Sequence, residues 1–232
     1  MRLKINFTAN TEDVPFSNQH VVNSYIHTCL GRNNPYHDTI SNYCISHLYG
    51  GKMKDKDSIS FQNGGMIVVT SKDETFLNAL IKGIVANIDL GWGMKFKNID
   101  FISEEFRDGW NHFFTLSPFI IKEYEDKHKY TFITLDAKDF DNKVTEYLKR
   151  KLLKIDESLK LDDFKVETSK TGKERIKKIM VKNVVNRANQ CNISIFCSAK
   201  TAELLYTIGI GQSTGSGFGT IYKTENHSKY RN

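Results

Sequence analysis

The chemistry this 232-residue chain can do rests first on two early histidines. Imidazole titrates at about 6.5, so a pair of histidines can supply one base and one acid near neutrality. His27 falls in a segment of helical period: with Val21 at 0° and about 100° per residue, Val21, Val22, Tyr25, Ile26 and Cys29 form an apolar stripe between roughly 0° and 140°. His27 then sits near 240°, off the core. His37 lies in the polar loop Pro35-Tyr36-His37-Asp38, where exposure favours function. The plainer readings are an exposed helix histidine without a role, and a loop histidine bonded to Asp38 or a backbone carbonyl. Transesterification of RNA needs two such groups, one to take the 2′-hydroxyl proton and one to protonate the departing 5′-oxygen, with no metal or cofactor. A metal reading competes, because His27, His37 and His47 recur at intervals of ten with Asp38 nearby. Secure zinc sites carry close-spaced pairs such as His-x3-His, and none is present, so no metal is expected.

The stretch GIGQSTGSGFG, with glycine at Gly209, Gly211, Gly215, Gly217 and Gly219, is the second feature. It lacks the Gly-Lys-Ser/Thr ending of a P-loop and the third glycine of a dinucleotide fingerprint. It also follows a helical segment, 199–208, and precedes a strand-like one, 218–222, the reverse of those motifs. Stripped of side chains, it would let an anionic polymer's backbone approach the main chain, and these glycines are expected to contact such a polymer. A flexible linker is the bland alternative, against which stand Ile210 and Phe218, each set between two glycines.

Charge is the third. The net charge is +6, and between 164 and 190 eight basic residues face two acids, so this segment holds the whole surplus. Concentrated positive charge of this kind releases counterions from a polyanion. Lys173, Arg175, Lys177, Lys178, Lys182 and Arg187 are the expected polyanion-binding cations, on a hairpin whose turn is read at Ser169 to Lys173. A solvated ribbon without a partner is the alternative.

Periodicity gives the elements that position these residues. Arg2 to Thr8 alternates as a strand and 18–30 is a helix stopped by Gly31. Strands follow at 43–49, 58–62 and 66–70, then a helix over Phe76 to Ile88 and a strand at 94–101. That order is ferredoxin-like. It recurs more loosely with strands at 119–124 and 130–135, a helix at 140–153, the basic hairpin running into 193–197, the helix at 199 and a last strand. The fold expected is α+β, two tandem ferredoxin-like (RRM-like) domains at 1–113 and 114–232.

The motif Gly-hydrophobic-Gly, five residues, Gly-hydrophobic-Gly resembles the glycine-rich loop of the repeat-associated mysterious protein superfamily. With the loop histidine after the first helix, and Thr115-Leu116-Ser117-Pro118 before the second half, the chain is similar to the CRISPR-associated endoribonucleases that process precursor guide RNA at its repeats. The resemblance implies that His37 is catalytic and that His27, at a position often tyrosine, is a second catalytic residue. It further implies cleavage of CRISPR repeat RNA to 2′,3′-cyclic phosphate and 5′-hydroxyl ends. Many members carry a lysine soon after the loop histidine; 39–47 has none here, and Lys52, with Lys54 beside it, is the nearest substitute. A non-cleaving RNA-binding subunit of a CRISPR effector complex is the alternative, and a homodimer or effector subunits are the open partner readings.

Length suits two domains with cores of their own. Cys29, Cys44, Cys191 and Cys197 show no Cys-x-x-Cys pair and read as reduced core residues. No leader-like segment and no apolar run of about 18 residues occurs. A cytoplasmic protein without membrane contact is expected.

Overall fold

The computed structural model describes residues 1–31, 34–36, 42–126, 129–169, 172–181 and 184–224. Its first half contains β1 (Arg2–Phe7), β2 (Val14–Pro15), α1 (Gln19–Leu30), β3 (Tyr43–Ile45), β4 (Lys52–Met53), β5 (Ser58–Ser60), β6 (Gly65–Ser71), α2 (Glu74–Ala86), β7 (Asp89–Gly91) and β8 (Met94–Ile102). Alternation in β1 sends Leu3, Ile5 and Phe7 into one core with Val22, Tyr25 and Ile26 of α1 and Phe76, Leu80 and Ile84 of α2. Asp73 starts α2 by accepting hydrogen bonds from the Thr75 and Phe76 amides. The antiparallel sheet runs β3-β6-β1-β8-β7, so the chain order β1-α1-β3-β6-α2-β8 is a ferredoxin-like unit. A small sheet, β2-β5-β4, lies beside it.

The second half contains β9 (Gly109–Thr115), β10 (Lys122–Tyr124), β11 (Tyr130–Phe132), α3 (Phe140–Ile155), β12 (Lys165–Thr168), β13 (Arg175–Val181), β14 (Val184–Gln190), β15 (Asn192–Cys197), α4 (Ala199–Ile208) and β16 (Ile221–Lys223). Its sheet runs β12-β15-β9-β16, and β9-α3-β12-β15-α4-β16 repeats the first topology. Phe113, Val144, Leu148, Ile193, Ile195 and Leu205 fill its core. The protein is therefore α+β with two tandem ferredoxin-like units. Among the described residues no helix is long and apolar enough to cross a membrane.

Three expectations change. The second unit opens with β9, whereas 122–124 and 130–132 form a separate hairpin inserted before α3. In β9 the buried face is Asn111, Phe113 and Thr115 while Trp110 and Phe114 lie half-buried opposite, so its hydrophobic pattern is nearly inverted. A division at 113/114 would also cut this strand, which pairs with β15 and β16; the two sheets part between Ile102 and Gly109. Finally, the basic hairpin sits one strand later. β12 pairs with β15 because Val166 belongs to the core, and the basic ribbon is β13 against β14, in register from Arg175↔Gln190 to Val181↔Val184.

The halves meet where the helix-free face of the first sheet covers α4 and β16. The buried Arg2 guanidinium donates to the Ile221 carbonyl at 2.7 Å and lies 4.0 Å over the Tyr206 ring. Thr70 donates its hydroxyl to the Thr207 carbonyl at 2.5 Å.

Candidate active site and nucleic-acid interface

His27 occupies the last turn of α1, whose buried side is Gln19, Val22, Tyr25, Ile26 and Cys29. The ring is half-buried, so it leaves the core as the helical period requires without standing free in solvent. His37 and Asp38 lie outside the described residues. Both flanks of their segment are anchored on α2. On one side Tyr36 donates its hydroxyl to Asp73 at 2.9 Å and sets its ring edge-on to Phe76 at 4.8 Å. On the other, Tyr43 stacks on Phe76 at 4.6 Å and donates to the Tyr36 carbonyl at 3.4 Å. Asp73 thus serves twice, as helix cap and as tyrosine acceptor, and these interactions hold its carboxyl below the usual range despite the opposing cost of burial.

The glycine-rich loop is placed differently from the expectation. Gly209, Gly211, Gly215, Gly217 and Gly219 are all buried, and the chain itself closes on Gly209, Gly211, Gly217 and Gly219. A Cβ on Gly209 would stand 2.7 Å from the Cys44 sulfur and 2.8 Å from the Gly219 carbonyl oxygen; one on Gly211 would stand 2.5 Å from the Ile120 carbonyl oxygen. At Gly217 it would meet the Gln19 side chain, and at Gly219 the Ile210 carbonyl. The absent side chains therefore make room for internal contacts. Ile210 and Phe218 are buried anchors. The loop's single turn of 3₁₀ helix, Thr214–Ser216, docks on the first half. Asn23 of α1 donates to the Ser216 carbonyl at 3.1 Å, and Thr214 donates to the Tyr43 carbonyl of β3 at 3.1 Å.

Lys151 grips the loop from the other side. Its ammonium donates to the carbonyls of Gly209 at 2.8 Å, Gly211 at 3.0 Å and Ile208 at 3.4 Å. The first and last of these acceptors belong to the end of α4, so a lysine caps that helix. Burial lowers the ammonium to about 8, with the neighbouring Cys44 thiol opposing the shift. Sequence reading passed over Lys151, although Val144, Leu148 and Lys151 fall at i, i+4 and i+7 of one helix face; a lysine in an apolar stripe was the available signal.

On the basic ribbon Lys173, Arg175, Lys177, Lys178 and Arg187 are exposed, while Lys182 lies outside the described residues. Lys178 is directly opposite Arg187 across the two strands, a like-charge pairing that costs stability unless an anion offsets it. Arg187 has Asp136 at 3.9 Å on its other side. Lys177 pairs with the buried Ala188, and its charge acts on His47, which follows β3. His47 is packed edge-on to Phe218 at 5.6 Å, its backbone amide donates to Ser117 Oγ at 2.8 Å, and its Nε2 is enclosed without a partner. Burial, then Lys177, holds its imidazole down at about 4. His47 belongs to the seam between the halves, where the ribbon passes the end of β3.

Lys52 is exposed on β4 and lines a polar cavity of about 490 Å³ with Asn10, Asp13, Lys54 and Gln62. Lys54 is engaged by Asp13 at 2.6 Å. This small sheet adjoins the start of α1 through β2, and His27 lies about 12 Å along the helix axis from Gln19 at 1.5 Å per residue. All four cysteines are free and buried, and burial pushes Cys29 up to about 11 and Cys191 and Cys197 up to about 12, which keeps them protonated.

No curated protein sequence matches the chain. Among solved structures it is similar to a CRISPR associated protein Cas6, at 17% identity and a TM-score of 0.78 over 97% of this chain and 99% of that one. It is similar to a Cas6-related protein from Pyrococcus furiosus at 19% identity, TM-score 0.83, over 98% and 99%. A third neighbour, a RAMP protein described as binding different RNA substrates, stands at 18% identity, TM-score 0.83, over 97% and 100%. At these identities the likeness carries the fold, and the sequence carries the rest: residues 102–222 match the family model of the CRISPR associated protein Cas6 C-terminal region, so the chain belongs to the Cas6 family.

Proposed function

We propose that this protein is a metal-independent endoribonuclease that cuts CRISPR repeat RNA, with His37 and His27 as the acid/base pair. The observation that carries this reading is the seam. The loop clasps α1, which bears His27, and β3, which follows the His37 segment, while Lys177 of the basic ribbon lies close enough to shift His47 at the end of that same strand. A polyanion held on the ribbon would run toward this seam. One imidazole takes the 2′-hydroxyl proton, the 2′-oxygen attacks the adjacent phosphorus, and the bond to the 5′-oxygen breaks as the other imidazole protonates that oxygen. The products are a 2′,3′-cyclic phosphate and a 5′-hydroxyl. We divide the chain into two functional units at the 103–108 connection, the first supplying the histidines and the second the ribbon. The solved RAMP neighbour that binds RNA supports a nucleic-acid partner, and four buried thiols suit a reducing cytoplasm.

The test is to incubate the protein with repeat RNA in excess chelator and identify the new ends. Cyclic phosphate and 5′-hydroxyl ends are expected, with none formed from RNA carrying a single 2′-deoxy substitution before the scissile phosphate. His37→Ala and His27→Ala should each lower the cleavage rate by about 100-fold to 10,000-fold with binding retained. Lys52→Ala serves as the separate test of charge stabilisation. Cleavage of the deoxy-substituted RNA, or activity only with added divalent metal, would overturn the mechanism. Binding without cleavage by the unaltered protein would favour the effector-subunit alternative.

A further inference from the structure

The arrangement around the glycine-rich loop assigns a task to a residue far along the chain from either histidine. A buried ammonium has three donors to satisfy, and Lys151 satisfies all three on main-chain carbonyls of one short segment. No carboxylate is spent on it among the described ion pairs. Such a cation is costly to bury, and charge-assisted hydrogen bonds are the compensation available to it. Its acceptors are the first carbonyls of the loop, whose remaining length rests on Gln19 and Asn23 of α1 and on Tyr43 of β3.

We propose that Lys151 is a positioning residue for the cleavage centre: by donating to the Ile208, Gly209 and Gly211 carbonyls it fixes the glycine-rich loop, and through that loop the relative placement of α1 and β3. The proposal rests on the reading of His27 and His37 given above, since α1 carries the first and β3 follows the second. The mechanism is steric and directional. With the three carbonyls fixed, Thr214 and Ser216 are presented to Tyr43 and Asn23 at hydrogen-bonding distance. Without them the end of α4 is uncapped and the loop can shift by the ångström that separates a productive proton-transfer geometry from an unproductive one. A displacement of that size costs about 100-fold in rate.

Lys151→Met keeps the length and removes the donors. In the RNA-free protein, amides of 209–219 should exchange with solvent roughly 10-fold to 100-fold faster, the factor that loss of charge-assisted hydrogen bonds implies. Single-turnover cleavage of bound repeat RNA should fall about 10-fold to 100-fold while the Kd for RNA stays within about threefold. Lys151→Arg should recover exchange protection and cleavage together. Lys151→Gln, with two of the three donors, keeps the test open should the methionine variant not fold. A pH arm separates charge from packing. From pH 7 to 9.5 the wild-type loop should lose protection, corrected for intrinsic exchange, as the ammonium gives up its proton, and Lys151→Arg should not. The titratable neighbours, Cys44 on β3 and Tyr147 one turn back on α3, are both pushed up by burial and stay protonated across most of that window, and Arg2 near Cys44 is the other charged group facing them, its guanidinium lowered by burial. Unchanged loop exchange in Lys151→Met would overturn the proposal, as would faster exchange with wild-type cleavage, or a defect lying wholly in Kd. Failure of the cleavage reading shows itself separately, as an unaltered protein that does not cut the RNA, and the exchange arm still decides whether Lys151 holds the loop.

Discussion

Gly209→Ala tests the role of the glycine-rich loop most directly. Gly209 has φ 72° and ψ 171°, a region open in practice to glycine alone, so an alanine there carries about 1–3 kcal/mol of backbone strain. Its Cβ would also stand 2.7 Å from the Cys44 sulfur and 2.8 Å from the Gly219 carbonyl oxygen, both deep in the seam. Forcing a methyl group into a well-packed interior costs about 1–3 kcal/mol more. The expected destabilisation is therefore about 2–6 kcal/mol. In a chain of this size each kcal/mol lowers Tm by roughly 2–4 °C, so thermal unfolding followed by circular dichroism should move down by roughly 5–20 °C. RNA affinity, measured on the folded variant well below its Tm, should change little, because the altered atom faces protein. An unchanged Tm combined with weakened RNA binding would refute this reasoning and return the loop to the RNA-contacting role its composition suggests.

Two further outcomes follow from the same geometry. Replacing Lys173, Arg175, Lys177 and Lys178 with alanine should weaken RNA binding and flatten its salt dependence by about 0.7 log units for each phosphate that is no longer neutralised, and an unchanged slope would take the ribbon out of the interface. His47 gives a pH signature. Its folded-state value of about 4 lies below the ordinary histidine value of about 6.5, so the unfolded chain binds the extra proton between the two. The corresponding stability is full above pH 6.5 and is lost as pH falls toward 4, by about 3 kcal/mol in all. His47→Phe should flatten that part of the stability curve in denaturant titrations, and an identical acid dependence in the variant would place the ring in solvent.

What the sequence by itself determined is whatever depends on neighbours along the chain. The stripe on 19–30 and the Gly31 stop, the alternation of Arg2 to Phe7, the helices at 74–86, 140–155 and 199–208, and the clustering of charge near 175–187 are all local patterns, and each was legible. So was the family, through a glycine spacing that this fold requires. Tertiary structure alone decided the partners. Nothing in Gly109 to Thr115 announces a strand inserted between β15 and β16, because its buried face carries Asn111 and Thr115, whose polar groups are satisfied by contacts such as Thr115 with Cys191, 76 residues away. The turn of the basic ribbon moved because Val166 is claimed by a core that the charge run does not reveal. The glycines show the limit most sharply. Composition says that something must come close to the main chain there, and an anionic polymer and the protein's own backbone demand the same absence of side chains. Only the fold brings Cys44, Ile120 and Gln19 against 209–219 and Lys151 beneath it.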